Sequence, residues 1–196
     1  ERGIIRPVNQ REIEKPSRMF SGRLKRLNHN KVQLRRNMRS LRDDIDPEQR
    51  RIYSDQITEK IFANPCVRNA DRCFVYASFR SEVQTHDLIE RLLELNKEIY
   101  VPVIEPNDRM QMARFSGWDD MQPDAFGVLV PRNPRIEEKE MHTAIVPGLA
   151  FTASGARIGY GKGHYDRFFA DHIVKTKIGI AFDCQIIKEI PTEPFD

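Results

Sequence analysis

One short stretch concentrates the chemistry of this chain: RIGYGKGHYD, residues 157–166. Gly159, Gly161 and Gly163 alternate with larger residues, Arg157 precedes them, Lys162 sits among them, and His164, Tyr165 and Asp166 follow. Glycines let backbone N–H groups approach an anion closely and admit positive φ. Arg157 and Lys162 add the cations that phosphate oxygens need. Asp166, one turn into the helix expected to follow, is the kind of oxygen ligand that a phosphate-bound Mg2+ takes. The loop lies between a buried strand and a helix, where open α/β sheets bind ligands and helix N-termini favour anions.

The well-known phosphate motifs do not fit. A Walker A loop has four residues between its glycines and Ser/Thr after its Lys. Here five residues separate Gly155 from Gly161, and Gly163 follows Lys162. A dinucleotide fingerprint reads G-x-G-x-x-G, and this loop reads G-x-G-x-G. Spacing alone therefore leaves two readings, an anion cradle and a turn whose glycines serve only tight packing.

Regular elements must position the loop. Leu34, Met38, Leu41 and Ile45 make an apolar helical stripe from near Asn30, with Lys31, Arg35, Arg39 and Arg42 as a basic stripe beside it. Asp46-Pro47-Glu48-Gln49 reads as a capping box opening a second helix to about Ala63, which buries Tyr53, Ile57 and Ile61. CFVYASF (73–79) reads as a buried strand, and Thr85 as the cap of the helix in HDLIERLLELN. EIYVPVI (98–104), TAIVPGLAF (143–151) and KIGIAF (177–182) read as further strands, and MQMARF and FGVLV as smaller ones. A helix is expected from His164 to Asp171. Strands alternating with helices predict an α/β fold: a single three-layer domain with a mostly parallel sheet and helices on both faces.

The totals bound the rest. A chain of 196 residues suits one domain, or one domain plus an appendage. Residues 1–30 hold eight Lys/Arg against three Asp/Glu, a balance of +5, which leaves 24 against 26, a balance of −2, for the remainder. The basic excess belongs to an N-terminal extension, residues 1–29, read as a flexible or loosely docked arm. The near-neutral domain argues against nucleic acid as its main partner. No apolar run reaches the ~20 residues of a membrane span. Cys66, Cys73 and Cys184 form no CxxC pair and read as reduced core thiols, which points to a reducing, cytoplasmic setting. An Arg-rich start also suggests a mitochondrial transit peptide, against which Glu1, Glu12 and Glu14 count. The chain does not begin with Met, as a processed form or a fragment would not.

VPGLAFTASGARIGYGKGHYDRFF (146–169) resembles the signature of the 5-formyltetrahydrofolate cyclo-ligase (5,10-methenyltetrahydrofolate synthetase) family. KVQLRRNMRSLRDDIDPEQR resembles that family's N-terminal K-x-x-L-R helix, and YASFRSEVQTHDLIERL its S-x-x-x-E-x-x-T segment. KEIYVPVI and IGIAFDCQIIKEIPTEPFD resemble its next strand and its glutamine-containing C-terminal segment, so the likeness spans residues 30–196 in order. The resemblance implies a NagB/RpiA/CoA-transferase-like fold, a monomer, and ATP-dependent, Mg2+-assisted closure of 5-formyltetrahydrofolate to 5,10-methenyltetrahydrofolate.

The resemblance also implies roles. Lys31 and Arg35 match nucleotide-phosphate contacts; as residues alone they better suit a solvated basic face. Arg157, Gly159, Tyr160, Gly161, Lys162, Gly163, His164 and Tyr165 match the ATP loop, with Lys162 and Arg157 as the catalytic cations. Ala77, Glu82, Tyr160 and His164 match folate contacts; Glu82 alone also reads as a surface acid after a strand. Asp166 and Asp196 match the Mg2+ ligands. Tyr76, Phe79, Phe115 and Trp118 suit a pterin slot or an ordinary core. His142 and Thr152 stand where relatives often carry Asp. Val130 stands where they carry a polar residue that lines the folate side. These departures keep open a nucleotide- and folate-binding relative without turnover, and the basic arm keeps open an RNA-associated role.

Overall fold

The structure is a computed structural model and describes residues 3–4 and 31–190. Of the expected extension it describes only Gly3–Ile4 (β1). The reading of residues 1–29 as a flexible arm otherwise lies outside the described residues, as does Asp196.

The helices come first. Lys31–Asp43 (α1) buries Leu34, Met38 and Leu41 as its periodicity predicts; Ile45 lies past its end, half-buried against the core. Asp46 caps Pro47–Ala63 (α2), its carboxylate accepting from Glu48 N and Gln49 N. Ile57 and Ile61 are buried in that helix, and Tyr53 is half-buried. The short Pro65–Arg68 (α3) leads into the sheet.

The main sheet has the order β1-β10-β7-β2-β3-β4, from Val174–Gly179 (β10), Met141–Val146 (β7), Arg72–Val75 (β2), Glu98–Ile104 (β3) and Met110–Arg114 (β4). All neighbours run parallel except β3 and β4. Successive residues of β2 face opposite layers. Cys73 and Val75 join a core with α2 and His86–Glu94 (α4), whereas Phe74 turns to the layer of His164–Asp171 (α5) and stacks on Phe168 at 4.6 Å. Helices thus cover both faces, as the alternation of elements predicts. Each fully buried large side chain in these layers contributes roughly 1.5–3 kcal/mol.

Several expectations need correction. The strand expected at 73–79 stops at Val75, because side chains then take over the backbone bonds. Thr85 Oγ1 accepts from Ser78 N at 3.0 Å and donates to Tyr76 O at 2.6 Å. Thr85 therefore stands at the start of α4 without capping it. The strand expected at 143–151 is two strands, broken at Pro147-Gly148. β7 stays in the main sheet, while Ala150–Thr152 (β8) joins Arg157–Ile158 (β9) and Ile186–Ile187 (β11) in a small second sheet. Gln185 holds the break: its amide donates to Gly148 O and Leu149 O, at 2.8 and 3.1 Å, and its carbonyl accepts from Phe182 N at 3.0 Å. The last long strand ends at Gly179, short of Phe182. Met121–Pro123 (β5) and Leu129–Pro131 (β6) form a separate hairpin. Among the cysteines, all free, Cys66 is exposed, not a core thiol.

Among the described residues no helix is long and apolar enough to cross a membrane.

Candidate active site

The glycine loop is set between two strands of the small sheet and α5. Met38 and Leu34 of α1 pack with Leu149, Ala150 and Ile158, which fixes α1 against the sheet that launches the loop. That packing turns the basic stripe toward the loop. Arg35 Nε donates to Gly159 O at 3.0 Å. Lys31 lies one turn earlier on α1.

Gly161 and Gly163 have φ of 102° and 68°, so the loop does need glycine there for its backbone path. Gly163 starts α5 in the left-handed conformation. Lys162 between them is exposed. Around this cradle the other expected residues are committed to partners. Arg157 Nη2 donates to Asp166 Oδ1 at 2.7 Å and its guanidinium lies 5.3 Å from the Tyr165 ring. His164 Nε2 lies 2.9 Å from Asp108 Oδ1, and Arg167 donates to Lys162 O at 2.7 Å and to Asp108 O at 3.1 Å. Asp108, in the turn between β3 and β4, thus anchors the start of α5.

The folate-side expectation centres on Glu82, and the structure corrects its reading as a surface acid. Glu82 is only 8% exposed. Its Oε2 accepts from Phe79 N at 3.0 Å and its Oε1 from Tyr160 Oη–H at 2.7 Å. Burial pushes its carboxyl above the ordinary range, while the bonds from Tyr160 and Phe79 and the charge of Arg42 pull the other way. Tyr160 Oη in turn accepts from Arg42 Nη2 at 2.9 Å. Burial and the neighbouring Glu82 push the Tyr160 phenol up to about 12, so it stays a donor.

Arg42, which its spacing placed in the basic stripe, joins the candidate site. It is 3% exposed, so it does not belong to a solvated stripe. Its Nε donates to Ser81 Oγ at 3.0 Å, and Ser81 donates to Asp43. The only sequence signal was its place in line with Lys31, Arg35 and Arg39. Nothing in the sequence marks Asp108 as a partner of His164. Ala77 is buried in the same loop as Glu82. Tyr76 and Phe115 are core residues, while Phe79 and Trp118 are half-buried; Trp118 stacks on His86 at 4.3 Å.

The three departures lie in different places. His142 is the second residue of β7, at the opposite end of the strand from the loops, where its Nδ1 accepts from Asp71 N at 3.0 Å. Thr152 Oγ1 accepts from Ala156 N at 3.1 Å and closes the turn between β8 and β9, a task an Asp side chain can also perform. Val130 sits in the β5–β6 hairpin opposite Gln122.

Among the described residues no group of three His, Cys, Asp or Glu side chains assembles a metal site. Asp166 is 77% exposed and has one carboxylate oxygen on Arg157. A single exposed carboxylate beside a cationic glycine loop suits Mg2+ carried on a nucleotide, since that ion keeps several non-protein ligands.

The family model described as the 5-formyltetrahydrofolate cyclo-ligase family matches residues 27–196. A Caenorhabditis elegans protein described as "Probable 5-formyltetrahydrofolate cyclo-ligase" is 31% identical, the match covering 85% of this chain and 88% of that one. The 5-formyltetrahydrofolate cyclo-ligase of Escherichia coli K12 is 28% identical over 81% of this chain and 91% of its own. The NMR structure of Aquifex aeolicus 5,10-methenyltetrahydrofolate synthetase superposes with a TM-score of 0.72 at 27% identity, covering 85% of this chain and 84% of that one.

Proposed function

The chain belongs to the 5-formyltetrahydrofolate cyclo-ligase family, and from that premise we propose that it converts 5-formyltetrahydrofolate and ATP into 5,10-methenyltetrahydrofolate, ADP and phosphate. The observation that carries this reading is the junction at Tyr160. A cationic glycine loop suited to a triphosphate touches, through one side chain, a buried carboxylate suited to the aminopyrimidinone edge of a pterin.

A formamide carbon is a poor electrophile and its oxygen a poor leaving group. Transfer of the γ-phosphoryl group corrects both: the bond to ADP breaks and a bond to the formyl oxygen forms. N10 then attacks the activated carbon, loses its proton, and phosphate departs with the former formyl oxygen. The protein's share is positioning and charge stabilisation. Lys162 is placed to meet the transferring phosphoryl group. Backbone N–H groups of Gly159 to Gly163 cradle the phosphates, with Lys31 and Arg35 adding charge from α1. His164 and Tyr165 fix the start of α5 beneath the nucleotide. Arg157 holds Asp166 and offsets its charge, which would otherwise repel a triphosphate. Glu82, Ala77 and Tyr160 receive the pterin.

Asp166 would hold Mg2+ together with phosphate oxygens, and Asp196 is the second expected ligand. Bound there, Mg2+ would neutralise charge on the transferring group. The finer readings belong with the proposal: residues 30–196 as the cyclo-ligase domain with residues 1–29 as an appendage, a NagB/RpiA/CoA-transferase-like architecture, a monomer, and a cytoplasmic setting.

The test is the near-ultraviolet absorbance of protein, 5-formyltetrahydrofolate and Mg-ATP over time. Methenyltetrahydrofolate has an extended amidinium chromophore that the substrate lacks. A band that grows only with ATP is expected. Folded, ATP-binding protein that produces no band would overturn the assignment.

A further inference from the structure

A continuous set of hydrogen bonds joins α1, the 76–85 loop and the glycine loop. Arg42 and Ser81 are 3% exposed and Glu82 is 8% exposed. Burying charges at this density is costly unless each is bonded, and a core of apolar residues would hold α1 in place as well. The bonds run outward from Arg42 to a carboxylate at each end. Asp43 accepts from Ser81, Ser81 accepts from Arg42, Arg42 donates to Tyr160, and Tyr160 donates to Glu82. The phenol ring lies 5.8 Å from the Arg42 guanidinium and 5.4 Å from that of Arg39. Tyr160 as a residue remains 44% exposed, while its hydroxyl is bonded on both sides within the network.

We propose that Arg42 and Tyr160 are positioning residues for folate binding: Arg42 donates to the Tyr160 oxygen and engages one of its lone pairs, which turns the phenol proton toward Glu82 and holds that carboxylate for the pterin. A hydroxyl that could rotate would be as free to accept as to donate. The guanidinium has only donors and removes that choice. One oxygen of Glu82 is then set by Tyr160 and the other by Phe79 N, leaving each with lone-pair capacity toward the site. Because Tyr160 belongs to the glycine loop, the shape of the phosphate cradle and the aim of the folate carboxylate are fixed together.

The titratable groups around Glu82 are Tyr160 from the loop, Arg42 from α1, Tyr76 at the end of β2 and Tyr165 from α5. Burial pushes all three phenols upward, so Arg42 is the cation of the set, and Glu82 is the carboxyl that burial raises and the bonds from Tyr160 and Phe79 lower. Losing the Tyr160 bond would raise the Glu82 carboxyl further and confine folate binding to higher pH.

The inference rests on the proposed function, and its test separates the two. Steady-state rates are measured against pH for the wild type, Tyr160→Phe, Arg42→Met and Arg42→Lys. Tyr160→Phe is expected to raise the KM for 5-formyltetrahydrofolate roughly tenfold, the weight of one hydrogen bond to a charged group, and the KM for ATP by less. The acid limb of kcat/KM for the folate should move to higher pH. Arg42→Met should reproduce these effects and add little to Tyr160→Phe in the double variant, while Arg42→Lys restores part of them. An unchanged folate KM and acid limb in Tyr160→Phe would overturn the inference while leaving the activity assignment intact. Should the wild type form no product, the assignment fails alone. The carboxyl titration of Glu82, followed by 13C NMR in unliganded protein and identified with Glu82→Gln, still decides the network: a midpoint raised by Tyr160→Phe supports it, and an unmoved midpoint overturns it.

Discussion

Arg157 reaches back over the glycine loop to Asp166: its Nη2 donates to Oδ1 at 2.7 Å, although nine positions separate the two in sequence. The guanidinium side is 16% exposed and the carboxylate side 77% exposed, so the pair sits at the mouth of the loop. Pairs this open contribute about 0.2–1 kcal/mol to stability. Asp166→Ala should therefore leave Tm nearly unchanged. On the proposed function it should raise the Mg2+ concentration for half-maximal rate at least roughly tenfold, as losses even in a metal's supporting shell do. Mg2+ titrations of initial rate at fixed ATP check this.

Gly161 bears the conformational demand of the loop. Its φ of 102° is poorly tolerated with a side chain, and an added Cβ would lie 3.4 Å from Arg35 Cζ. Gly161→Ala should cost roughly 1–3 kcal/mol where the loop must hold its shape. The expected readout is weaker nucleotide binding by calorimetry with the far-UV spectrum preserved.

Glu82→Gln should separate stability from function. The Glu82 carboxyl is raised by burial, so the folded protein holds that proton more tightly than the unfolded chain does. Its ionisation therefore costs stability as pH rises through the folded value, and costs nothing below the ordinary 4.5. Gln carries no charge and keeps one acceptor oxygen, so it gives up one of the two bonds, from Phe79 N or from Tyr160 Oη, at every pH while losing the pH-dependent cost. Relative to the wild type, the melting temperature of the variant should rise with pH, by about 2–4 °C per kcal/mol for a chain of this size. The gain should vanish in acid, and folate turnover should be lost. Thermal melts across pH, paired with rates, check both halves.

Gln185 holds the junction of the two sheets. Gln185→Leu would orphan Gly148 O, Leu149 O and Phe182 N, all in buried surroundings. The expected loss is about 1–3 kcal/mol for each group left unsatisfied. Denaturant unfolding should show a lower midpoint with an unchanged slope.

What the sequence made legible follows from the range of the forces involved. The spacing of Leu34, Met38 and Leu41, the Asp46-Pro47 start and the helix from His164 to Asp171 all appear as read, because each rests on contacts within a few residues. The error at 143–151 has the opposite origin. An apolar run looks the same whether it stays in one sheet or passes at Pro147-Gly148 into another, and the bonds that decide come from Gln185, 36 and 37 positions away. Thr85 looks like a cap, but its hydroxyl is claimed by Tyr76 O. In the site, the loop and Glu82 were visible as residue types. Arg42 was not, because a charged residue on a helix face announces solvent until Ser81 and Tyr160 arrive from segments 39 and 118 positions away.

The most direct test of the account follows the formyl oxygen. Substrate labelled with 18O at that atom is incubated with protein and Mg-ATP, and the released phosphate is weighed by mass spectrometry. Phosphoryl transfer to the formyl oxygen predicts one label in each phosphate formed per methenyl product, with neither species appearing when Lys162→Ala replaces the wild type. Unlabelled phosphate, or ADP released without methenyl product, would contradict it.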